Sequence, residues 1–183
     1  MLKPQDILIL LKIQSVRGRR GPLEGTWENP EFLLRYSVLG TSVGISTSQA
    51  FESVKRLVDA GLVTKELQVR TRAAAEWLIH GVKYCLPPKL GGLTRGTPTS
   101  YAAAPLKAML VQSDASQEPI PVWPYADGVR GIALEPIYKT VPWAAEKDEE
   151  LKEYLTLLDA IRSGRTRESN LASDILSQKL GVN

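Results

Sequence analysis

The sequence predicts a mainly α protein with a little β, an α+β chain in three segments. A helix, a tight turn and a second helix lie in the first segment, a loop-rich stretch in the middle, and helices at the C-terminal end. Three observations carry this reading. Behind a Gly44-Ile45-Ser46 turn, Ala50, Val54, Leu57 and Val58 recur at helical spacing, with Phe51 at the edge of that face. Residues 86–143 are rich in Pro and Gly and have little periodicity. Beyond them Leu151, Tyr154, Leu155, Leu158 and Ile161 form one helical stripe, and Leu171, Ile175, Leu176 and Leu180 a second. The segments divide at 1–85, 86–143 and 144–183.

Taken in order, Pro4 suits the first position of a helix that runs to about Gln14, and Ile7, Leu8, Leu10, Leu11 and Val16 leave it little polar relief. It should be buried, under its own chain or against a second one. Arg17-Gly18-Arg19-Arg20-Gly21-Pro22 reads as a loop, either simply solvated or an arm that reaches along phosphates. Asn29-Pro30 opens the next helix, with Phe32, Leu33, Tyr36, Leu39 and Val43 as its stripe. One helix to Val43, or two broken near Ser37, both fit. Gly44 suits the turn because glycine accepts a positive φ, and Ser46 is a good N-cap for the helix that follows and stops at Gly61. After Val63 no Gly or Asn hairpin turn follows, so any β-hairpin there is short, missing or built from another strand. Thr71 caps an alanine-rich helix to His80, and Val82 to Leu86 alternates like a short strand. The Pro/Gly-rich middle carries Trp123, Tyr125, Tyr138 and Trp143, which predicts an extended wrap over the helices or a partner. Acidic residues at 146–150 open the helix to Ile161, and Gly164 ends it.

Composition bounds the function. With 183 residues, 43% hydrophobic and 23% charged, the chain can bury a real core. No apolar run approaches the ~18 residues of a membrane span, no signal-peptide layout is visible, and Cys85 is the only cysteine. A cytoplasmic protein is expected. The net charge is +3, but residues 1–85 hold 12 Lys/Arg against 8 Asp/Glu, a net of +4, while residues 86–183 come to −1. The basic excess therefore lies in the half with the helix, turn and helix.

No catalytic grouping is visible. His80 and Cys85 are single residues of their kind and cannot supply a metal site. Gly91-Gly92-Leu93-Thr94-Arg95-Gly96 lacks the Lys and Ser/Thr of a phosphate-cradling loop, and no Gly-x-Ser-x-Gly elbow occurs. The protein is not expected to be an enzyme, and no cofactor or metal is expected. Arg162, Arg165 and Arg167 surround a helix break, where they would bind phosphate or offset the helix end.

The stretch from Tyr36 to Val63 resembles the helix-turn-helix of winged-helix transcriptional regulators of the multiple-antibiotic-resistance repressor type. Its marks are Gly40 and Gly44, the Gly-Ile-Ser turn, Ser48-Gln49 early in the second helix, and the run Lys55-Arg56-Leu57-Val58-Asp59-Ala60-Gly61-Leu62-Val63. Taken whole, the chain is similar to small bacterial proteins that join such a module to a Thr-Arg-Gly-x-Pro-Thr stretch (Thr94 to Thr99), a Trp-Pro and Gly-x-Ala-Leu-Glu-Pro stretch (Trp123 to Pro136), and Asp-Ala-x-Arg-x-Gly-Arg-x-Arg-Glu (Asp159 to Glu168). The resemblance implies a regulator that binds double-stranded DNA, as a homodimer, with no membrane association. In that reading Ser46 and Thr47 face phosphates at the helix start. Ser48, Gln49 and Glu52 face base edges, and Lys55, Arg56, Arg19 and Arg20 bind phosphates. The alternative is a degenerate helix-turn-helix that serves assembly with a protein partner, antitoxin-like, and the absent hairpin and Glu52 are its motives.

Overall fold

The computed structural model describes residues 1–18, 30–110 and 119–182. Helix α1 (Pro4–Gly18) is its axis: every residue from 6 to 16 is buried, on all sides of the helix. A helix apolar all round belongs inside a core, and α1 packs against the helices of both ends of the chain. Around it come α2 (Pro30–Leu33), α3 (Tyr36–Val43) and α4 (Thr47–Asp59). The stripe read from Phe32 to Val43 is thus two helices, parted by extended backbone at Arg35.

After α4, Val63 and Val69 form a single antiparallel bridge. Thr64 N–H donates to the Gln68 carbonyl and Arg70 N–H to that of Leu62. Leu67 closes the turn at φ 55°. Arg17 holds this turn from the end of α1, donating to the carbonyls of Glu66 and Leu67 and pairing with Glu31. Of the expected basic loop, Arg17 is therefore anchored, and Arg19 and Arg20 lie outside the described residues.

The strand expected over Val82 to Leu86 is helical. Helix α5 (Thr71–Glu76), a π turn (Trp77–Gly81) and α6 (Val82–Cys85) follow one another directly. Ala74, Leu78 and Val82 are buried at helical spacing, and this burial overrides the short alternation from Val82 to Leu86. Thr71 makes no capping bond there; the N-cap is Arg70.

The middle is not a loop-rich wrap. Strands β1 (Leu90–Pro98), β2 (Pro121–Pro124) and β3 (Val129–Leu134) form a small closed sheet. β1 is antiparallel to both others, and β2 meets β3 in parallel. Gly96 is required at the closure, because a Cβ there would overlap the Trp123 carbonyl. A short 3-10 turn (Ser100–Ala102) and α7 (Leu106–Met109) leave the sheet, and α8 (Val141–Lys147), α9 (Glu149–Ser163) and α10 (Thr166–Leu180) complete the chain. The helix expected from Glu146 to Ile161 is broken at Asp148, whose carboxylate caps α9 by accepting from Leu151 N–H. One core cluster contains Leu8, Leu57, Leu78, Trp123, Leu158 and Leu176, so all three segments share it. No helix of the described residues is long and apolar enough to cross a membrane.

The sheet is fastened to α9 through one carboxylate. Asp159 is buried and accepts from Thr99 Oγ1 at 3.0 Å, Trp123 Nε1 at 2.5 Å and Arg162 Nη1 at 2.8 Å. Arg162 also donates to the Leu86 carbonyl at 2.8 Å. Burial pushes Asp159 above the usual carboxylate range; the Arg162 charge and the three donors pull it back. Arg162→Gln leaves that carboxylate without its counter-charge, and a loss of about 3–5 kcal/mol is expected in urea unfolding. Without Arg162 the folded-state pKa climbs further above the unfolded one. Stability then fades as pH rises through it, so the loss at pH 8 exceeds that at pH 5.

Candidate nucleic-acid interface

The joint between α3 and α4 is built by two adjoining caps. Gly44 sits at φ 74°, ψ 34°, the left-handed region that favours glycine. Its N–H donates to the Thr41 carbonyl, and Ile45 N–H reaches back to that of Gly40. This pair of bonds is the Schellman arrangement, which satisfies the open carbonyls of a helix end. Ile45 is buried in the angle between the helices. Gly40 is where they touch: a Cβ there would lie 2.9 Å from the Ile45 carbonyl and 3.3 Å from Ala50 Cβ. The middle segment braces the same turn, with Thr140 Oγ1 donating to the Val43 carbonyl at 2.6 Å.

Ser46 then starts α4 with a full capping box. Its Oγ accepts from Gln49 N–H at 3.2 Å, and Gln49 Oε1 accepts from Ser46 N–H at 3.0 Å. Ala50, Ser53, Val54 and Leu57 are the buried face. Arg56 clamps the helix to α1: Nε donates to Asp6 Oδ2 at 2.8 Å and Nη2 to Asp6 Oδ1 at 2.7 Å. The Asp6 side chain is fully buried, and its hydrogen bonds to Arg56 hold that guanidinium above its ordinary pKa.

The other predicted site residues are placed as follows. Ser46, Thr47, Ser48, Gln49, Glu52 and Lys55 are exposed. Ser48, Glu52, Lys55 and Asp59 form a stripe along the outer side of α4, and none of the described chain covers it. The structure sets Arg56 apart, since its fork is occupied by Asp6 and it belongs to the frame of the site. Among the described residues the Gln49 amide N–H groups have no partner, and its oxygen holds the cap. The stripe itself is not basic, because Lys55 stands between Glu52 and Asp59.

Sequence reasoning missed one element. Phe51 is 47% exposed and meets Tyr36 edge-on, ring centroids 5.3 Å apart, giving the α3–α4 surface an aromatic ridge. The spacing of Phe51 from Ala50 and Val54 placed it at the edge of the apolar face, and Tyr36 lies on another helix. Among the described residues no group of three His, Cys, Asp or Glu side chains gathers to hold a metal. Compared with protein-family models, curated proteins and solved structures, the chain matches none.

The anchor can be tested directly. Arg56→Gln strands the Asp6 carboxylate in the core and is expected to cost about 3–5 kcal/mol, read as a lower urea midpoint. Lys55→Gln, on the open stripe, should stay within about 0.5 kcal/mol of the parent.

Proposed function

We propose that the protein is a DNA-binding transcriptional regulator of winged-helix type, a homodimer whose recognition helix is α4. One observation carries this reading: the outer side of α4, from its capped N-terminus to Asp59, is left open by the rest of the described residues. A rod of this kind fits a major groove, and its free N–H groups and positive dipole end favour phosphate. The α3–turn–α4 joint, fixed by Gly40, Gly44 and Ser46, would hold such a rod at one set angle. Ser46 and Thr47 would meet phosphates, Ser48 and Glu52 base edges, and Phe51 a thymine methyl. Gln49 would offer its amide N–H groups while keeping the cap. Lys55 would serve phosphate, as would the exposed Lys65 at the tip of the Thr64–Gln68 turn; Arg56 would not. In this reading the short turn around Leu67, fastened by Arg17, would take the place of a wing. Two copies are needed to set two such helices one DNA turn apart.

A second reading rests on Phe51 and Tyr36 together with Glu52 and Asp59. An aromatic ridge edged by carboxylates suits a protein partner better than a polyanion.

The two readings part in one experiment. Binding to random-sequence duplex is followed by anisotropy between 25 and 200 mM salt. DNA binding requires affinity that falls linearly on a log–log plot, and Lys55→Gln should reduce the slope by about 1. Glu52→Gln should tighten binding, since it removes a repulsive charge. No binding at the lowest salt ends the DNA reading and leaves the partner reading. A solution mass of one chain in the presence of DNA would remove the dimer.

A further inference from the structure

A cavity of about 520 Å³ opens where the first residues of the chain meet the end of α4 and the π turn. Its volume lies in the range of small-molecule sites. Its apolar lining comes from three places: Leu2, then Ala60 and Leu62 after α4, then Ala73 of α5. The rim carries polar groups on one helix face, the Glu76 carboxylate, the Trp77 indole N–H and the His80 imidazole. None of the three side chains has a hydrogen bond or ion pair among the described residues. Arg72, one turn before Glu76, makes no ion pair with it there.

The backbone under this rim is a π turn, Trp77–Gly81. Such turns lose helical hydrogen-bond geometry and concentrate at functional sites. Here the Trp77 ring lies against Gly81, where a Cβ would come within 3.0 Å of Trp77 Cδ1. Gly81 therefore makes room for the indole at the cavity edge. Among the described residues no partner explains why a carboxylate, an indole N–H and an imidazole share one rim.

We propose that this cavity binds a small organic cation, an amine with an apolar body of about a dozen heavy atoms. Glu76 is the one formal charge among the lining residues with His80 neutral, so it selects a cation and repels an acid. Tryptophan is the best aromatic face for an ammonium group, and Trp77 stands next to Glu76. The ammonium donates to Glu76 and to a ring nitrogen of His80, and the body covers Leu2, Ala60 and Leu62. Because Ala60 is the C-cap of α4, an occupant touches the end of the helix assigned to DNA. The binding itself does not rest on that assignment.

The experiment is calorimetry and thermal shift on the full chain, without DNA, using tryptamine, 3-phenylpropionate and phenethyl alcohol as probes. Tryptamine is expected to bind with Kd below about 1 mM and to raise Tm, with 3-phenylpropionate at least about tenfold weaker. Glu76→Gln, at an exposed helix position, should weaken tryptamine by about tenfold and leave phenethyl alcohol unchanged. Glu135→Gln, just past β3 and outside this lining, should bind tryptamine as the parent does. Tryptamine no tighter than the acid, no binding below about 5 mM, or a Glu76→Gln chain that binds the amine as before each overturns the proposal.

Discussion

A helix buried on every side must find a partner inside the protein for each polar group it carries, and α1 sets that condition on the whole structure. Asp6 takes the Arg56 fork and also accepts from Lys3 N–H. Lys12 Nζ donates to Asp148 Oδ2 at 2.6 Å, and Ser15 Oγ donates to the same oxygen at 3.0 Å. An unpaired charge at either position would cost several kcal/mol, whereas a matched pair roughly recovers its desolvation. The pairs therefore add little to net stability but strongly disfavour any other arrangement of α4 and α9 against α1. Asp148 shows how tightly this is coupled: one carboxylate serves Lys12 and Ser15 with one oxygen and the α9 N-cap with the other.

That condition decides which side of α4 faces outward. With Arg56 bound to Asp6 and Val54 and Leu57 in the core, rotation about the helix axis is fixed, and Ser48, Glu52 and Lys55 are turned to solvent. The joint with α3 fixes the remaining angle. Thr140 extends the control to the C-terminal half, because its hydroxyl binds the last carbonyl of α3 and its methyl lies 3.1 Å from where a Gly44 Cβ would be. The open face is thus held by three separate parts of the chain, which is how a loop-bounded helix becomes rigid enough to read another surface.

The α3–α4 turn and the caps of α4 were legible in the sequence because their signals are local. Gly44, Ser46 and Gly61 act through their own φ angle or through a bond three residues away, and the structure places the turn, the N-cap and the end of α4 where those residues stand. The sheet was not legible, since its glycines answer to a distant strand. Gly96 reads as a turn residue along the chain, yet its role is to admit the Trp123 carbonyl from β2. Thr99, Trp123, Asp159 and Arg162 were noted in three separate stretches, and only the fold shows them meeting at one carboxylate. Arg56 misled for the same reason. On its own helix it lies on the polar side, and its partner Asp6 is fifty residues away and buried.

Gln49 carries two demands that oppose one another. As the third residue of the capping box it closes Ser46 N–H, a bond whose loss costs about 1 kcal/mol in comparable caps. As a base reader it would need both its oxygen and its nitrogen for the bidentate contact to adenine, worth roughly 1–3 kcal/mol of discrimination. With the oxygen in the cap, only the N–H groups reach outward, and they suit acceptors that all base pairs present in the major groove. The capping bonds assign Gln49 to shaping the start of α4, and in the proposed DNA-bound state discrimination would then fall to Ser48, Glu52 and Phe51. A helix read in this way would prefer sites with a cytosine amino group facing Glu52 and a thymine methyl beside Phe51, and would gain its hold on phosphate from Lys55, Lys65 and the helix end.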